Sequence, residues 1–126
     1  MVKRFLYSQG LVIISVHIKT GNKKKLPILL AVDTGSHITA ISPKTLTKAG
    51  AELLADNLVL QGIGQKILSP SAIINFPDFT ETEINAVTVA AYQLPEDYSI
   101  DGVIGNDILQ NFKVTIDYPN QTITFE

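Results

Sequence analysis

Leu29-Leu30-Ala31-Val32-Asp33-Thr34-Gly35-Ser36 is the stretch on which the reading of this chain turns. An apolar run of strand character ends on an acid, and small or hydroxyl-bearing residues follow. Burying a carboxylate at such a strand end is costly unless donors surround it. Thr34 and Ser36 bring hydroxyls, and Gly35 lets the backbone approach so that its N–H can face the acid. The same residues also fit a strand-end Asp that turns onto its own backbone. Three residues match by chance often, so the surroundings have to decide.

Working outward, Leu11–Lys19 is rich in Val and Ile and predicts a strand. Thr20-Gly21-Asn22-Lys23 supplies turn chemistry, so Leu11–Lys19 and Leu26–Val32 should form a hairpin. The Lys23-Lys24-Lys25 run then sits at its tip as a solvated charge cluster. Ser42-Pro43 predicts a short helix start, with Leu46 and Ala49 on one face and Gly50 as its stop. Asn57–Leu60 and Lys66–Phe76 read as strands flanking a Gly-rich tip, Gly62-Ile63-Gly64, with Pro70 marking an edge or bulge. Ile84–Tyr92 is a further strand, Leu94–Ser99 a polar loop, Asn106–Phe112 a short helix, and Val114–Tyr118 with Thr122–Phe125 a closing hairpin.

Strands outnumber helices and turn signals are frequent, which predicts an all-β fold. The expectation is a small closed β-barrel with one or two short helices. A length of 126 residues fits one domain over 1–126. With 45% apolar and 17% charged residues the chain should fold by burying a core. A net charge of −2 argues against a nucleic-acid or polybasic membrane footprint. The absence of Cys excludes disulfides, a thiol nucleophile and a Cys-type zinc site. His17 and His37 make a poor metal pair, so neither metal nor cofactor is expected. No apolar stretch suits a membrane span, and Met1–Gly10 lacks the apolar centre of a secretory signal. A soluble, cytoplasmic protein is therefore expected. Asn120-Gln121-Thr122 fits a glycosylation acceptor but carries no weight without such a signal.

Three motifs in order give the short stretch its context. Asp33-Thr34-Gly35-Ser36 follows an apolar strand, Gly62-Ile63-Gly64 tips a hairpin, and Val103-Ile104-Gly105 precedes a short helix. Together they resemble the retropepsin-like aspartic proteases, the single-lobed relatives of retroviral proteases. The resemblance runs from about Leu11 to Phe125, and Phe112–Tyr118 is more similar to the bacterial and archaeal members. It implies that Asp33, Thr34 and Gly35 form the catalytic turn, with Thr34 locking two such turns across an axis. Ser36, His37, Gly62, Ile63, Gly64 and Val103 would contact substrate, the hairpin tip acting as a flap. Ala31 and Ala40 would shape side-chain pockets. Where viral members carry an acid and a pairing Arg, this chain has His37 and Asn106, so that ion pair is missing.

Each motif also has a plainer reading. Gly62-Ile63-Gly64 fits an ordinary β-turn, Val103-Ile104-Gly105 fits core packing, and the His37 side chain fits a satisfied loop histidine. A dinucleotide fingerprint is excluded, because Ile67 stands where its third glycine would be. A phosphoaspartate role is unlike this pattern, since Gly35 occupies the place of the usual second acid.

Aspartic proteolysis needs two carboxylates, one ionised to accept a proton from water and one protonated to donate. This chain has one Asp-Thr-Gly, since Asp101, Asp107 and Asp117 lack the surrounding pattern. The dyad therefore implies a homodimer acting on a peptide or protein substrate, each Asp33 facing its twin. A non-catalytic module that binds extended peptides on the same barrel is the alternative.

Overall fold

The computed structural model describes residues 1–62, 64–79 and 84–126. In chain order the elements are β1 (Val2–Arg4), β2 (Leu6–Ser8), β3 (Leu11–Ile18), β4 (Leu26–Val32), β5 (Ala40–Ile41) and α1 (Pro43–Lys48). Then follow β6 (Leu54–Gly62), β7 (Gln65–Ile74), β8 (Val87–Ala91), β9 (Gly102–Ile104), α2 (Asn106–Leu109), β10 (Val114–Asp117) and β11 (Thr122–Phe125). A 3-10 turn at Glu96–Tyr98 interrupts the loop read as polar coil.

The β3–β4 hairpin pairs antiparallel from Ile13↔Ala31 to Ile18↔Leu26. Alternation sends Ile14, Val16 and Ile18 fully inward, while Ser15 faces solvent. β9 lies parallel to β4 and antiparallel to β5, which runs beside β8. The larger sheet has the order β2-β3-β4-β9-β5-β8-β7-β6, and β1-β11-β10 form a smaller one. The two share a core that includes Ile14, Leu30, Ile41, Leu46, Ile104 and Phe125. Each such fully buried aliphatic side chain contributes roughly 1.5–3 kcal/mol.

All-β character with two short helices is borne out, but the barrel is not closed. Closure would need β2 to pair with β6, the two ends of the larger sheet, and no such pairing exists among the described residues. β6 and β7 instead form a long hairpin whose outward pair, Val59↔Leu68, is exposed. At the other end the chain crosses at buried Phe5 into the smaller sheet, where β1 pairs β11.

Local signals behave as their chemistry requires. Ser42 caps α1, its Oγ accepting from Thr45 N–H at 3.2 Å, and Gly50 stops it at φ 81°. Pro70 sits at an irregularity: Leu54↔Ser71 and Leu58↔Ser69 are successive pairs, so β6 carries extra residues opposite it. α2 is shorter than expected, yet Ile108 and Leu109 are buried and Phe112 packs on the core as its face requires.

Candidate active site

Asp33 is the first residue beyond β4, and its N–H is anchored to Ile104 O at 3.0 Å. That bond fixes it where β4 and β9 run side by side. The turn then tightens: Ser36 N–H reaches Asp33 O at 3.2 Å and Gly35 N–H reaches Asp33 Oδ1 at 2.9 Å. A Cβ on Gly35 would come within 3.2 Å of that same oxygen, which explains the small residue. Of the three donors expected around the carboxylate, only this backbone N–H arrives. The Ser36 hydroxyl donates to Ile38 O at 2.7 Å instead. Thr34 is exposed, and its hydroxyl has no partner among the described residues.

α2 holds the turn from behind. Asn106 Nδ2 donates to Thr34 O at 2.7 Å, and Asn106 N–H to Ser36 O at 2.8 Å. Asp107 receives Thr39 N–H at 3.0 Å and Thr39 Oγ1–H at 2.7 Å, and Thr39 Oγ1 in turn accepts from Gly105 N–H at 3.1 Å. A Cβ on Gly105 would sit 2.7 Å from Ile38 O and 2.8 Å from Ser36 O, so only glycine allows this approach. At Asn106, where the sequence lacks the Arg of an ion pair, neutral hydrogen bonds tie α2 to the turn.

Asp33 borders two cavities. One, of about 470 Å³, runs under the β6–β7 hairpin and is walled by Leu60, Ile67, Tyr92, Ala40 and Val103. Gln61, Gln65, Ser36 and His37 add polar groups there. The other, of about 250 Å³, is apolar and includes Leu11, Ala31, Tyr98 and Ile100. Leu94 and Val103 line both, so one trough passes across the carboxylate. A concave, mostly apolar cleft with a few convergent polar groups is the expected form of a binding site.

The structure therefore gathers Asp33, Gly35, Ser36, His37 and Val103 around one trough, with Thr34 beside it. Gly62 and Gly64 lie at the hairpin tip, Gly64 with φ 78°, and Ile63 falls outside the described residues. Sequence reasoning missed Leu60, Ile67 and Tyr92 as lining residues. Cross-strand pairing of Leu60 with Ile67 puts them on one hairpin face, a signal that alternation carries. No group of three His, Asp or Glu suited to a metal ion occurs among the described residues. No described helix is long and apolar enough to cross a membrane.

A family model described as aspartyl protease matches residues 15–108, a span that holds the Asp33 turn, the hairpin and β9 with the start of α2. No curated protein is similar enough to count as a match.

Proposed function

The chain belongs to the aspartyl protease family, and from that premise we propose that it is an endopeptidase whose reacting centre forms between two copies. The observation that carries this reading is the placement of Asp33: one half-buried carboxylate at the crossing of a peptide-sized trough, with exposed Thr34 beside it. The other carboxylates nearby are occupied. Asp107 binds Thr39, and Asp101 accepts from Leu29 N–H and from Thr45 Oγ1–H. The second acid that the chemistry needs is then supplied by the Asp33 of a second chain.

In this reading residues 1–126 act as one retropepsin-like domain in a two-fold dimer. Two acids a few ångströms apart share one proton, a general property of aspartic protease dyads. The ionised member takes a proton from water as its oxygen attacks the scissile carbonyl carbon. The protonated member donates to the carbonyl oxygen, giving a gem-diol. Collapse of the gem-diol breaks the C–N bond, and the amine leaves with a proton returned by the dyad. No cofactor takes part. Thr34 hydroxyls would bridge the axis, and Gly35, Ser36 and His37 would offer backbone groups to an extended peptide. The hairpin tip at Gly62, Ile63 and Gly64 would close over it and exclude water, and Val103 would form an apolar wall.

A peptide-library digest read by mass spectrometry from about pH 3 to about pH 8 tests this. Defined cuts that disappear in Asp33→Asn are expected, with a loss of roughly a thousandfold or more. Binding of peptides without cuts, in wild type and variant alike, would favour a non-catalytic module instead.

A further inference from the structure

Two features remain outside the catalytic account: the Lys23-Lys24-Lys25 run and the lysines of α1. The fold brings them together. Lys23 lies over Gly50, just past α1, with its Nζ 2.6 Å from where a Gly50 Cβ would stand. Lys44 and Lys48, one helical turn apart, line a cavity of about 340 Å³. Leu26, Pro27 and Ile28, which directly follow Lys25, line it as well. Lys23, Lys44 and Lys48 thus lie at α1 and its end, and Lys24 and Lys25 follow Lys23 in the chain.

Among the described residues none of these lysines forms an ion pair. The ion pairs among the described residues use Asp78 alone. Asp101 lines the cavity and sets one negative charge against the two of Lys44 and Lys48, its oxygens held by Leu29 N–H at 2.8 Å and Thr45 Oγ1–H at 2.7 Å and not by a lysine. Glu52, beyond α1, and Asp97, in the 3-10 turn, make no ion pair with these lysines.

The cavity also continues the trough. Ile100 lines both this cavity and the apolar one that touches Asp33. Val103 and Asp101 are two residues apart, as are Ala40 and Ser42, and Ser42 N–H extends the β5–β9 pairing to Asp101 O at 2.8 Å. Alternation puts each pair on one face, so the lysines flank the same side of the sheet as the cleft. From Ile104 to Asp101 is three residues, roughly 10 Å.

We propose that this lysine-lined cavity is an exosite that takes an acidic segment of the substrate polypeptide, an inference that rests on the peptidase reading of Asp33. A peptide leaving the cleft along β9 reaches Lys44 and Lys48 after about three or four extended residues. The net charge of −2 repels an acidic peptide overall, so a preference for one has to come from a local field such as this.

The test compares two fluorogenic peptides that share a cleavable centre, one flanked by a run of Glu about four residues away and one by Gln. The expected kcat/KM favours the Glu peptide by about fivefold at low salt. Lys44→Gln/Lys48→Gln and high salt should each bring that ratio close to one. In parallel, anisotropy measures binding of both peptides to Asp33→Asn. Equal cleavage and equal binding of the two peptides overturn the exosite and leave the peptidase reading intact. Cleavage of neither contradicts the peptidase reading, and the binding arm then decides the exosite: tighter, salt-sensitive binding of the Glu peptide upholds it, and equal binding overturns it.

Discussion

The carbonyl of Thr34 accepts a 2.7 Å hydrogen bond from Asn106 Nδ2, which ties the turn bearing Asp33 to the first residue of α2. The same residue's N–H holds Ser36 O, so one side chain and one backbone group clamp both ends of Thr34-Gly35-Ser36. Losing the amide leaves the turn free to tilt. Asn106→Ala should lower kcat about tenfold, the cost of one hydrogen bond of about 1.4 kcal/mol, with a smaller change in KM. Asn106→Asp sets a carboxylate against the Thr34 carbonyl and should lower it further. Steady-state kinetics beside a thermal melt separates this from unfolding. An unchanged kcat in both variants would show that the clamp does not position Asp33.

Gly105 is held between loop carbonyls. A methyl group there meets Ile38 O at 2.7 Å and Ser36 O at 2.8 Å, and backbone carbonyls cannot swing aside as a flexible side chain can. Gly105→Ala should destabilise the fold by about 1–3 kcal/mol and displace the Asp33 turn at the same time. Urea unfolding measures the first effect. A midpoint equal to that of the wild type would contradict the packing described.

Asp78 links the edge of the fold to its core. Its Oδ1 lies 3.0 Å from His17 Nδ1, its Oδ2 accepts His17 N–H at 3.0 Å, and Lys3 Nζ stands 3.4 Å from Oδ2. Burial raises the carboxyl pKa, but the His17 hydrogen bonds and the charges of Lys3 and His17 outweigh it. The net shift is downward from the ordinary 3.8. A depressed carboxyl adds stability above its unfolded value, and that stability is lost as pH falls through the folded value. Asp78→Asn should therefore cost about 1 kcal/mol at neutral pH. The gap from wild type should close as pH drops below about 3.8. Denaturant melts at several pH values test this, and a gap that persists in acid would contradict it.

Much of the fold was legible because its signals are local. Turn residues at Thr20–Lys23 announced the β3–β4 hairpin, and Ser42-Pro43 announced α1. β1 and β2 were missed, since Val2, Leu6 and Tyr7 are exposed and only Phe5 shows a core preference. Barrel closure was overread, because whether β6 meets β2 depends on how sheets bend in space and not on any one segment. At the candidate site, motif order singled out the Asp33 turn, Val103 and the hairpin, which border one trough. The roles of Asn106, Thr39 and Asp107 were not legible, because bonds such as Thr39 to Asp107 join residues 68 apart. The hydroxyl of Ser36 was misassigned for a local reason: Ile38 O, only two residues on, competes for it, and that carbonyl's position follows from the loop's path.

The central claim is that each reacting centre uses two Asp33 carboxylates, one per chain. Subunit mixing tests it most directly. Wild type and Asp33→Asn are combined in equal amounts, allowed to exchange, and assayed at constant total protein. A shared dyad predicts that activity falls to about one quarter of that of undiluted wild type, because only the doubly wild-type pairs are competent. Activity of about one half would mean that each chain works alone, and would contradict the account.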